Sequence, residues 1–112
     1  VFHLILGNHD ILDESMYGGM ELSYKMEINN LILTHEPMDE IQKGKYNLCG
    51  HIHPGVRLRG KGKQTLRIPC FFFGPYTGIL PSFGTFTGTH VIKPNDGDRV
   101  FVVMDDVVME VH

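Results

Sequence analysis

The sequence predicts a strand-rich α/β chain. Short apolar or alternating runs recur along it, with turn residues between them. Helix-type patterning is confined to two brief stretches. Three of the apolar runs end in a polar loop that bears histidine, the layout of strands feeding one edge of a sheet.

In chain order, the run at 2–6 stops at Gly7-Asn8, and 11–17 reads as a short helix before Gly18-Gly19. Residues 24–28 alternate, Asn29-Asn30 follows as a turn, and 31–34 resumes, which predicts a hairpin. A second short helix is expected over 38–43, before Gly44. The run at 46–49 is ended by Gly50. Positions 56–59 alternate, turn through Gly60-Lys61-Gly62 and resume over 65–73. There Val56, Leu58, Leu66 and Ile68 share one face, and Arg57, Arg59 and Arg67 the other. A strand is expected at 78–80, then a Gly/Ser/Thr-rich stretch at 82–89. The remainder reads as strands at 90–93, 99–104 and 107–111. Their turns are Pro94-Asn95-Asp96-Gly97 and Asp105-Asp106.

A chain of 112 residues is one domain or part of one. Apolar residues at 42% and charged residues at 21% are an ordinary globular composition and exclude disorder. The formal charge of −3 argues against nucleic-acid binding through bulk charge alone, and leaves a local basic patch open. Cys49 and Cys70 are too few for a disulfide framework and are expected as free thiols in a reducing cytoplasm. No apolar run reaches the roughly 18–20 residues of a membrane helix. No leader with a small-residue cleavage site is present, so a cytoplasmic location away from membranes is expected. Val1 already lies in an apolar strand-like run, which reads as part of a longer chain.

The three histidine-bearing loops are Gly7-Asn8-His9-Asp10, His35-Glu36-Pro37 and Gly50-His51-Ile52-His53. Ligands bind beyond the carboxyl ends of strands in open α/β sheets, so one edge would gather Asn8 and four histidines. Neutral imidazole ligates Zn, Mn and Fe, and an asparagine carbonyl is a hard neutral ligand suited to Mn or Mg. His51 and His53 would share a face on a strand; in a loop they would reach neighbouring metals. Gly7 and Gly50 leave room for the turn that aims the next side chain. Two metals about 3.5–4 Å apart clamp a phosphoryl group and activate a bridging water. A histidine free of metal can then protonate the leaving oxygen.

In order and spacing, these motifs resemble the calcineurin-like metallophosphoesterases. A narrower resemblance spans residues 2 to about 89. Thr34-His35-Glu36-Pro37, Gly50-His51-Ile52-His53-Pro54, Arg67-Ile68-Pro69-Cys70-Phe71 and Leu80-Pro81-Ser82-Phe83-Gly84-Thr85-Phe86-Thr87-Gly88 are similar to the bacterial subgroup often encoded beside a DNA ligase and helicase. Those proteins are described as repair-associated nucleases or phosphoesterases. The resemblance implies the C-terminal half of a two-sheet αββα sandwich, acting on phosphate mono- or diesters, nucleotide or DNA among them. It implies that Asn8, His35 and His51 ligate one divalent metal and His53 another, with Mn the natural ion and Fe or Zn alternatives. His9 would face the scissile phosphate as general acid or transition-state stabiliser, with Asp10 orienting its ring. Arg57, Ser82 and Thr87 are candidate substrate contacts.

The family's Asp-x-His motif is absent, and the one Gly-Asp, Gly97-Asp98, falls in an expected turn. The chain is therefore expected to be a partial domain (1–112) that alone binds at most one metal weakly and has little activity. Exposed apolar surface, covered by a homo-oligomer or a partner, is expected too. Other readings stand beside these. Cys49, His51, His53 and Cys70 could form a structural zinc site. The basic stretch Arg57, Arg59, Lys61, Lys63 and Arg67 is either a solvated face or a nucleic-acid contact. The 82–88 loop either covers the substrate phosphate or is a tight turn. The chain as a whole is either part of an enzyme or a non-catalytic scaffold.

Overall fold

A computed structural model describes residues 2–7, 18–60, 62, 64–83 and 88–112. Among them the chain is built from strands, with no α-helix. The expected helix at 11–17 lies outside the described residues.

β1 (His3–Ile5) pairs in parallel with β2 (Glu21–Ser23), where His3 opposes Glu21 and their side chains meet at 2.6 Å. β3 (Lys25–Ile28) and β4 (Leu31–Thr34) form the expected hairpin across Asn29-Asn30, with Asn29 at φ 54°. β5 (Tyr46–Cys49) and β9 (Thr77–Ile79) continue from β4, all three running parallel. β8 (Phe71–Phe73), β11 (Arg99–Met104) and β12 (Val107–Glu110) complete a seven-stranded sheet of order β12-β11-β8-β9-β5-β4-β3. Asp105 and Asp106, at φ 50° and 62°, make the tight turn between β11 and β12.

A second sheet of order β10-β6-β7 contains β6 (Pro54–Arg59), β7 (Thr65–Pro69) and β10 (His90–Val91). The register Val56↔Ile68, Arg57↔Arg67 and Leu58↔Leu66 agrees with the face assignment made from alternation. Val56, Leu58, Ile68 and Ile92 pack with Phe72 and Met104 around fully buried Cys70, Val100 and Val102, so the two sheets face each other across one core. The fold is thus a strand-rich piece of an α/β sandwich.

Two expectations change. The run at 65–73 is two strands, because Pro69 cannot extend the ladder and Cys70 donates its N–H to Pro54 O as the chain changes sheets. The expected helix at 38–43 is a loop: Met38 N–H donates to Asn47 Oδ1, and Lys45 N–H closes a turn on Gln42 O with Gly44 at φ 81°. Six residues between Pro37 and Gly44 are too few to offset helix nucleation.

The outward face of β8, β11 and β12 is an apolar depression of about 320 Å³ lined by Phe71, Phe73, Phe101, Val103 and Val108. Exposed apolar surface was expected; Val103 and Val108 expose it here, and Phe2, Tyr24, Tyr76 and Phe83 expose it elsewhere. Among the described residues no helix is long and apolar enough to cross a membrane.

Candidate functional site

The site begins with a buried amide. Asn47, in β5, is wholly inaccessible to solvent, and both its amide nitrogen and its amide oxygen are hydrogen-bonded. Its Nδ2 donates to Ile32 O at 2.9 Å and to Thr34 Oγ1 at 2.9 Å, and its Oδ1 accepts from Met38 N–H at 3.0 Å. Thr34 Oγ1 in turn donates to Glu36 O at 2.6 Å. These bonds fasten the loop that leaves β4, and that loop carries His35. Gly50 N–H donates to His35 O at 2.9 Å, so the loop leaving β5 is tied to the loop leaving β4.

The two loops bring their first histidines together. His35 Nε2 lies 3.2 Å from His51 Nδ1, with ring centroids 5.1 Å apart and planes inclined by 65°. Two nitrogens each about 2.0–2.1 Å from one metal, at tetrahedral to octahedral angles, are separated by roughly 2.9–3.4 Å. The observed spacing therefore fits joint ligation of one cation as well as an imidazole hydrogen bond. Glu36 Oε1 stands 3.8 Å from His51 Nε2, outside hydrogen-bonding reach but close enough to add negative potential.

The loop geometry is strained at the histidines. Ile52 N–H donates to Gly50 O at 2.8 Å, a three-residue turn that holds His51 at φ 69°. His53 is held at φ 55°, with its carbonyl accepting from His90 N–H at 2.8 Å. Left-handed backbone costs a non-glycine residue of order 1–3 kcal/mol and gathers at functional sites. Gly50 precedes this turn without a positive φ, and the two histidines after it take the left-handed positions. Gly7 matters for closeness. A Cβ there would fall 2.5 Å from His35 Nδ1, so only glycine lets the end of β1 lie against that ring.

Beside Gly7 a cleft of about 390 Å³ opens between Leu6, Gly7, Tyr24, Thr34, His35 and Glu36. Asn8, His9 and Asp10 follow Gly7 directly and lie outside the described residues, as does Thr87. His53 is half-buried in the same loop as His51. Among the described residues no three His, Cys, Asp or Glu side chains gather as an ion cage. Ser82 is half-buried in the loop after β9, which starts beside the site where Leu80 N–H donates to Cys49 O. Arg57 is exposed on β6, four residues beyond His53.

Cys49 turns away into the sheet, with Sγ donating to Gly78 O at 3.5 Å, and Cys70 is in the core between sheets. Burial pushes both thiols up to about 11. Among the described residues neither thiol is grouped with His51 and His53, which weighs against the structural-zinc reading. Asp98 caps its own turn, accepting from Asn95 N–H at 2.8 Å. Asn47 is the residue that sequence reading missed. It looks like one polar break in an apolar strand, and the only available sign was that a buried asparagine must have partners.

No family model matches the chain, and no curated protein matches it. Among solved structures, the chain is similar to the Pseudomonas putida nuclease MPE, with 30% sequence identity and a TM-score of 0.76. The match covers 97% of this chain and 53% of that one, so the chain spans about half of that protein's length. The strands described above therefore follow a nuclease-like fold.

Proposed function

We propose that the chain carries the histidine-bearing part of a metal-dependent phosphoesterase, acting on phosphate mono- or diesters with nucleic acid among its substrates. The observation that carries this is the 3.2 Å approach of His35 Nε2 to His51 Nδ1 at the shared carboxyl edge of β4 and β5. Likeness to a protein named a nuclease supports it. Asn8, His35 and His51 would hold one divalent ion and His53 another, Mn by preference and Fe or Zn as alternatives. When bound, divalent ions supply neutralising charge to the phosphate oxygens and acidify water.

The chain's own groups do the rest. His9 gives a proton to the departing oxygen, and Asp10 orients its ring. Arg57, Ser82 and Thr87 bind phosphate oxygens. Asn47 keeps His35 from drifting, and the left-handed His51 keeps its ring aimed at its partner.

The test uses the full-length protein. Mn binding is followed by calorimetry, and hydrolysis by release of an aryl alcohol from a phosphodiester. His51→Ala should lose both. His9→Ala should keep Mn and lower turnover about 10²–10⁴-fold. Hydrolysis that survives chelation, or His51→Ala with wild-type Mn affinity, would overturn the proposal. Metal binding without any hydrolysis would establish the scaffold reading instead.

A further inference from the structure

We infer that the outer face of the β6–β7 hairpin binds the phosphodiester backbone of a nucleic-acid strand and leads it to the histidine loop. The inference deepens the phosphoesterase reading and rests on it for the chemistry at the histidines.

Charge along the chain is segregated. Residues 41–95 contain no Asp or Glu and eight of the ten Lys and Arg. All thirteen acidic residues lie in 1–40 and 96–112. The middle segment carries +8 and the remainder −11, which gives the overall −3. Net charge therefore conceals a strongly basic piece. A polyanion within a screening length of about 8–10 Å responds to the nearby piece and little to the sum.

The hairpin sets that charge on one face. Val56, Leu58 and Ile68 pack inward against the core, so alternation turns Arg57, Arg59 and Arg67 outward, and all three are exposed. Arg57 stands directly opposite Arg67 in the register. Like charges in that position destabilise a sheet. Among the described residues none of the three meets a carboxylate, whereas the fourth arginine, Arg99, is paired with Glu110. An uncompensated like-charge pair is a cost to the fold that an anionic ligand would remove.

Spacing and direction select the ligand. Arg57 and Arg59 are about 7 Å apart along the strand, comparable to the step between successive phosphates of one nucleic-acid strand. β6 begins at Pro54, immediately after His53, which places Arg57 about 13 Å from the histidine loop. A strand held along this face thus reaches the cleft within a few nucleotides. Arginine's planar fork suits phosphate oxygens.

The test compares the full-length wild type with Arg59→Ser/Arg67→Ser, using an oligodeoxythymidine for binding and a small aryl phosphodiester for hydrolysis. The serine variant should lose oligonucleotide affinity, and the slope of log K against log salt should flatten by about 1.4, near 0.7 per single-strand phosphate contact. Its hydrolysis of the small diester should be unchanged, which also shows that it is folded. The corresponding double lysine variant should keep most of the salt slope. Unchanged affinity and slope in the serine variant would overturn the inference. Equal loss of small-diester hydrolysis would also overturn it, by placing these arginines in the reaction rather than on a track. If wild type binds the oligonucleotide through this face yet hydrolyses neither substrate, the phosphoesterase reading fails and the binding face stands.

Discussion

His51 and Asn47 show how single residues build the site from opposite sides of the stability ledger. His51 is held at φ 69° in a three-residue turn, a conformation that costs stability and aims its ring at His35. His51→Gly should therefore raise stability by about 1 kcal/mol in chemical denaturation while losing Mn affinity. Asn47 does the reverse. Its amide serves Ile32, Thr34 and Met38 from a fully buried position. Asn47→Ala should cost about 1–3 kcal/mol, because those groups cannot all recover a partner in the interior. The same variant should weaken Mn binding without removing any ligand, since the loop bearing His35 loses its anchor. The histidines were legible in the sequence, because their order after apolar runs is a pattern. Asn47 was not, because its role depends on three partners from another strand and a loop.

At the scale of elements, alternation predicted the β6–β7 hairpin and its two faces, and the register agrees residue for residue. The pairing of Arg57 with Arg67 then becomes a measurable cost. Arg67→Thr should stabilise the protein by about 0.2–1 kcal/mol in low salt, and less as salt rises, by thermal unfolding. The boundary at Cys70 was not legible. Residues 65–73 form one apolar, strand-like run in sequence, yet β7 and β8 belong to different sheets. Hydrophobic pattern reports that a segment is strand and buried; it does not report which sheet receives it. The same limit applies to 38–43, where helix propensity yielded to a hydrogen bond donated by Met38 N–H to Asn47, nine residues away.

Across the whole molecule, two sheets close on a core centred on Cys70, Val100 and Val102, with Cys49 buried beneath the histidine loop. Burial raises both thiols from an ordinary 9.0 to about 11. Unfolded, they ionise near 9.0; folded, they keep their protons. Their contribution to stability is complete below 9.0 and is lost as pH rises through about 11. Thermal unfolding across that interval should show a falling midpoint, and replacing both cysteines with alanine should flatten the decline. Sequence alone determined the strand-rich class, most strand positions, the hairpin faces and the candidate ligands, because each is written in local periodicity and residue chemistry. Tertiary structure decided that β4, β5 and β9 run parallel, so that their ends share an edge. It also decided that Gly7 lies against the ring of His35, and that the histidines rather than Gly50 bear the backbone strain. Those facts depend on which distant segments meet, and short-range pattern carries no information about the meeting.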